Sequence, residues 1–146
     1  MGEKNDVMES TGKSSPNVAV VRAFYDALAR GDVPAILDLL HPEVEWRAPE
    51  SVPWGGTFHG REGFQQFIGK LLGQPAELRR EVRDYLDAGE RVVVLLRQMG
   101  RRKGGQTEYD VPEAQIWTVR HGRVVDFEGY FDTSIVLRAL QLQRRA

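Results

Sequence analysis

The hydrophobic period of the chain changes at Gly73–Pro75, and that change limits the fold more than any other feature. Up to Leu72, apart from one short strand pattern, apolar residues recur at helical spacing; beyond Pro75 they alternate as in strands. Ser15 before Pro16 reads as a helix start, because the hydroxyl can cap and the missing proline N–H costs nothing in a first turn. Val21, Phe24, Tyr25 and Leu28 then form one stripe, and Gly31 ends it. Asp32 can cap a second helix carrying Val33, Ile36, Leu37 and Leu40, which His41–Pro42 terminates. A third helix is predicted over about 61–72, with Phe64, Phe67, Ile68, Leu71 and Leu72 on its apolar face.

Between the second and third helices, Val44, Trp46 and Ala48 alternate with Glu45 and Arg47, the mark of a half-buried strand. A loop with Pro49, Pro53, Gly55, Gly56 and Gly60 follows, and Trp46 and Trp54 flank it as large flat groups suited to a pocket wall or a core. Beyond Pro75, Leu78, Val82 and Leu86 suggest a strand, Arg91 to Met99 a well-buried one, and Thr107 to Val119 a third. Pro112 inside that third strand predicts a bulge or an edge. Arg101–Arg102–Lys103–Gly104–Gly105 reads as a hairpin tip, and His121–Gly122 turns the chain into Arg123 to Phe131. A last helix begins at Asp132–Thr133–Ser134 and runs to about Gln143. The fold class is therefore α+β, with N-terminal helices packed on a curved, mainly antiparallel sheet. Such a sheet, covered by so few helices, predicts a cavity lined from both sides.

Composition narrows the function classes. With 146 residues the chain is expected to form one domain over 16–146, preceded by a disordered polar tail over 1–15. A formal net charge of −1 gives no general attraction for nucleic acid or an anionic membrane, and neither is an expected partner. The absence of cysteine excludes disulfide and thiolate chemistry. No run of about 20 apolar residues is present to span a membrane as a helix, and the N-terminus lacks a signal-type apolar segment. A cytoplasmic location is expected. Three scattered histidines without ligand spacing predict no metal site, and no glycine-rich loop joins a strand to a helix in dinucleotide fashion. No cofactor is expected.

The runs FYDALARGDVPAILDLLHPEVEW, GGTFHGREGFQQF and HGRVVDFEGYFDT, in this order and spacing, resemble the SnoaL-like branch of the nuclear-transport-factor-2-like superfamily. The resemblance spans about 18–140. It implies a cone-shaped α+β barrel, a deep pocket between helices and sheet, and a dimer. Its members include steroid isomerases and polyketide cyclases beside proteins that only bind or scaffold, so the site is argued residue by residue. The isomerase pattern places an Asp base after a Val–Glu pair in the first strand, where this chain has Trp46. Its hydroxyl and carboxyl donors fall on Phe24 and Gln115. The cyclase pattern places its Gln, His and Asp at Glu113, Gln115 and Gly129.

Both alignments turn Glu113, Gln115 and Trp117 inward on one strand, and Val125, Phe127, Gly129 and Phe131 on the next. Glu113 and Gln115 are the catalytic candidates, Glu113 as a base if buried. Phe24, Trp46, Trp54, Trp117, Phe127 and Phe131 are expected to bind the ligand as an aromatic lining. Arg97, mid-strand in an apolar run, either faces outward as a surface residue or, if inside, pairs with Glu113 or binds a substrate carboxylate, and Tyr109 is a candidate donor near the mouth. Two readings follow. One is a protein binding an apolar or polycyclic small molecule, with a cofactor-independent isomerase, cyclase or lyase activity. The other is a non-catalytic dimeric binding or scaffold module whose pocket Trp46 and its neighbours fill; a cavity of about 300 Å³ or more separates the first from the second. Val92, Val94 and Leu96 alternate with Val93, Leu95 and Arg97, so the sheet is apolar on both faces. That predicts a homodimer through its convex side.

Overall fold

A computed structural model describes residues 15–142. The tail expected over 1–15 lies outside the described residues, except for Ser15. The Ser15 hydroxyl accepts from the Val18 N–H at 3.2 Å and starts helix α1 (Pro16–Arg30). Gly31 closes α1 at φ 68°, a left-handed conformation that glycine adopts without strain. Asp32 caps α2 (Val33–Leu39), accepting from Ala35 N–H at 3.1 Å.

The second helix stops one residue earlier than its spacing suggests. Leu40 is already extended and begins β1 (Leu40–Ala48), which runs through Pro42. The strand tolerates that proline because the pairing with its neighbour is irregular between Leu40 and Glu45. The loop after β1 contains a strand that the sequence did not reveal, β2 (Gly56–His59), and α3 (Gly60–Leu72) follows directly. Leu72, expected on the apolar face of α3, is exposed. Four strands come next as a meander: β3 (Ala76–Ala88), β4 (Arg91–Arg102), β5 (Glu108–Arg120) and β6 (Arg123–Phe131). Asp132 caps α4 (Thr133–Leu140), accepting from the backbone N–H groups of Ser134 and Ile135.

The six strands form one open sheet in the order β2-β1-β6-β5-β4-β3. All neighbours are antiparallel except β1 and β6, which run parallel. Pro112 causes no bulge: β5 pairs with β4 in continuous register through Arg97 and Pro112. The ladder with β6 begins only at Glu113, so β5 is locally an edge where the proline sits. The irregularities lie elsewhere. One between Val82 and Asp84 switches the parity of β3, so that Tyr85 rather than Leu86 pairs with inward Val94. Another between Thr118 and Val119 buries Val124 fully and turns Val125, expected inside, to the outer side.

The core lies between the inner face of the sheet and the helices. Val92, Val94, Leu96, Val111 and Trp117 point from β4 and β5 toward Val18, Val21 and Phe24 of α1, and α3 covers β1 and β2 with Phe64 and Phe67. Among the described residues, no helix is long and apolar enough to cross a membrane.

Candidate functional site

Where α1 and α3 lean over β1, β5 and β6, the core is almost entirely aromatic. Trp46 lies flat on Phe127, with ring centroids 3.8 Å apart and planes 11° from parallel. Phe24 stacks on Trp46 at 5.7 Å, and Phe64 and Trp117 meet it edge-on at 4.8 and 5.5 Å. The strand pattern explains this convergence, since Trp46, Trp117 and Phe127 hold inward positions on three adjacent strands and pair in register. The Trp46 indole N–H is the single buried side-chain polar atom without a hydrogen-bond partner among the described residues.

Beside these rings lies a polar cluster. The Glu113 carboxylate, with its side chain 2% exposed, accepts at Oε1 from Arg80 Nε (3.0 Å) and Gln98 Nε2 (2.9 Å). Its Oε2 accepts from Gln115 Nε2 at 2.9 Å. Gln115 Oε1 in turn accepts from the Trp117 indole at 3.1 Å and from the Tyr25 hydroxyl. Tyr109 donates to Gln98 Oε1 at 2.6 Å. Two arms, from Tyr25 through Gln115 and from Tyr109 through Gln98, therefore converge on one carboxylate. Burial pushes the Tyr25 hydroxyl far above the usual phenol range, and it stays a proton donor. Burial also pushes Tyr109 up to about 12. Burial is the largest influence on Arg80 and disfavours the cation, but the Glu113 charge and hydrogen bond, together with Tyr25 and Tyr109, outweigh it and leave the pKa raised. A carboxylate offers about four acceptor sites, and three are taken here. Gly129 keeps the remaining side open: a Cβ there would stand 3.5 Å from Glu113 Oε2 and 3.4 Å from Phe127.

Rings and cluster together border a cavity of about 80 Å³. Six of the expected ligand-binding residues, Phe24, Trp46, Trp54, Trp117, Phe127 and Phe131, line it, as do Glu113 and Gln115. Two do not. Arg97 shares the parity of Val93 and Leu95, faces outward and bonds Asp110 (2.8 Å) rather than Glu113. Tyr109 lies behind Gln98, away from the cavity. His59, on the outer side, is bound to Glu45 and Glu43. The volume is also smaller than the 300 Å³ expected of a pocket for a polycyclic ligand, because the stacked rings occupy the space. It has room for a few waters or a compact molecule. A wider hollow of about 680 Å³ at the end of β3–β5 has ion pairs on its walls, Arg101–Glu77 (2.9 Å) and Arg101–Glu108 (3.9 Å), and Tyr109 as its one aromatic residue among the described ones.

Three contributors escaped the sequence reading. Tyr25 lies about 100° round the helix from Phe24, yet a cavity beneath a helix is wide enough to receive adjacent positions. Arg80 carried a legible signal, since it falls between Leu78 and Val82 on the inward parity of β3. Gln98 continues the parity of Val94 and Leu96. Among the described residues, no group of three or more His, Cys, Asp or Glu could hold a metal ion.

The SnoaL-like domain profile matches residues 21–127. An NTF2-like protein of unknown function from Burkholderia pseudomallei shares 32% identity at a TM-score of 0.78, over 86% of this chain and 98% of that one. TerC, co-crystallised with polyporic acid, shares 28% identity at a TM-score of 0.77, over 87% of this chain and 99% of its own. An NTF2-like protein from Burkholderia thailandensis shares 26% at 0.77, over 87% and 98%. No curated protein matches the chain.

Proposed function

This chain belongs to the SnoaL-like family, and from the geometry of its cavity we propose that it is a binding module for a compact small molecule. The molecule is largely apolar and carries one hydrogen-bonding end. Aromatic side chains surround the apolar part, and Tyr25, Gln115, Glu113 and Arg80 meet the polar end. The observation that carries this reading is the buried network itself. Charged and amide groups inside an aromatic core cost desolvation, and well-packed hydrophobic residues would serve stability equally well. Their convergence on one cavity wall gives them a recognition use. Binding is favoured over turnover because Glu113, among the described residues the one carboxylate at the cavity, has three of its acceptor sites engaged. The isomerase base position is occupied by Trp46. TerC, 28% identical and co-crystallised with polyporic acid, supports a small organic molecule as the ligand class.

The test is a thermal-shift screen of compact cyclic compounds against the wild type and Gly129→Ala. A ligand at 100 times its Kd stabilises the native state by about 2.7 kcal/mol. The added methyl finds ordinary contacts at 3.4–3.5 Å and fills the space beside Glu113 Oε2, so Gly129→Ala folds but loses the shift. Hits that bind both proteins equally would place the site elsewhere.

A second copy of the chain is the proposed partner, seated on the outer face of the sheet. Leu95 there is 40% exposed in an apolar patch with Val93 and Ile116, which supports this pairing.

A further inference from the structure

We propose that Arg80 is the recognition residue of the cavity, and that Glu113 makes it select uncharged hydrogen-bond acceptors over anions. This deepens the binding reading above and rests on it. Arg80 stands on the edge strand β3, opposite Gln98, with its side chain 21% exposed. A guanidinium carries five N–H donors in a planar fork. Only Nε is used, on Glu113 Oε1; Nη1 and Nη2 have no hydrogen-bond partner among the described residues and are not sealed from solvent. The outer edge of the fork is therefore a free set of donors on a side chain that lines the cavity with Tyr25, Gln115 and Gly129.

The charge balance decides what those donors accept. Among the described residues, Arg80 and Glu113 are the only charged ones lining the cavity, and each neutralises the other at 3.0 Å. A ketone or similar carbonyl oxygen can take the free N–H groups and adds no charge. A carboxylate would set two buried anions against one cation, and among the described residues no other cation lines the wall to balance it. The ion pair thus acts as a charge filter: the arginine attracts an oxygen and the glutamate rejects an oxyanion. Bidentate carboxylate recognition, the usual task of an arginine, is blocked by the resident carboxylate.

Acetone and acetate test this directly, since both are small enough for a cavity of about 80 Å³ and they differ by a methyl in place of an oxyanion. Titration calorimetry and ligand-observed NMR on the full chain should find acetone binding at least tenfold more tightly than acetate. Glu113→Gln removes the negative charge while keeping shape and hydrogen-bonding capacity, and should reverse the order. Arg80→Met, checked for folding by circular dichroism, should bind acetone at least tenfold more weakly, so a decision is possible even if Glu113→Gln does not fold. Equal binding of both probes to the wild type, an unreversed order in folded Glu113→Gln, or undiminished binding to Arg80→Met would overturn the charge filter and leave the binding reading standing. Failure of both probes to bind the wild type would overturn both.

Discussion

Trp46→Phe is expected to cost almost nothing, although Trp46 is among the most enclosed side chains of the protein. Large-to-small changes at buried aromatics cost about 3–5 kcal/mol when the whole ring is lost to alanine. Phenylalanine keeps a ring to stack on Phe127, so most of the pair's roughly 0.5–1.5 kcal/mol survives. It also removes the indole N–H, which is buried without an acceptor, a state that costs about 1–3 kcal/mol. Loss and relief nearly cancel, and Trp46→Phe should lie within about 1 kcal/mol of wild type. Trp117→Phe is the matched control. Trp117 is 1% exposed against 3% for Trp46 and sits among the same rings, but its N–H donates to Gln115 Oε1 at 3.1 Å. That change forfeits a bond worth about 0.5–1.5 kcal/mol with no compensating relief. Urea denaturation with an unchanged m-value should therefore find Trp117→Phe less stable than Trp46→Phe by about 3 kcal/mol. Equal losses, or the reverse order, would refute the claim that the unpaired N–H strains the aromatic cluster.

His59 is hydrogen-bonded to Glu45 (2.5 Å) and Glu43 (3.1 Å), and these bonds raise its pKa above the usual histidine value. A raised folded-state pKa stabilises the protein below the unfolded value of about 6.5, and this is lost as pH rises through the folded value. The stability difference between wild type and His59→Gln should be largest below that point and shrink at alkaline pH; a gap that widens with pH would contradict the assignment. Leu95→Glu, on the outer face of the sheet, should convert a dimer to a monomer in sedimentation velocity while leaving the fold intact. A wild type that is monomeric at all accessible concentrations would remove the proposed partner.

The fold was largely legible because its signals are local. Period, caps and turn residues sit within a few positions of the structure they specify, as with Ser15–Pro16, Gly31–Asp32 and His121–Gly122. The aromatic half of the site was legible for a related reason, since inward parity on a strand follows from a count of two. Parity fails where a bulge intervenes, so Leu86 and Val125 were placed on the wrong side. Bulges at Arg83 and near Val119 leave no compositional mark, and β2 was hidden by its brevity among glycines and prolines. The polar half was harder. Tyr25 and Arg80 reach Gln115 and Glu113 across 90 and 33 residues of sequence, and no local pattern reports which side chains will meet. Arg97 stands out in the sequence for its apolar flanks and Arg80 does not, but the flanks of a strand apolar on both sides do not reveal which face is the interior.

The parallel union of β1 with β6 also orders events in time. The meander β3 to β6 closes through short turns, whereas Arg47 reaches its partner Glu128 only across 81 residues. Closing a long loop costs more entropy than closing a short one, so the meander assembles first and the β1–β6 contact follows. One wall of the cavity, Trp46, arrives with that final step. A ligand consequently has nothing to hold until the chain is nearly native: it will lengthen the lifetime of the folded protein and leave the rate at which the chain folds unchanged.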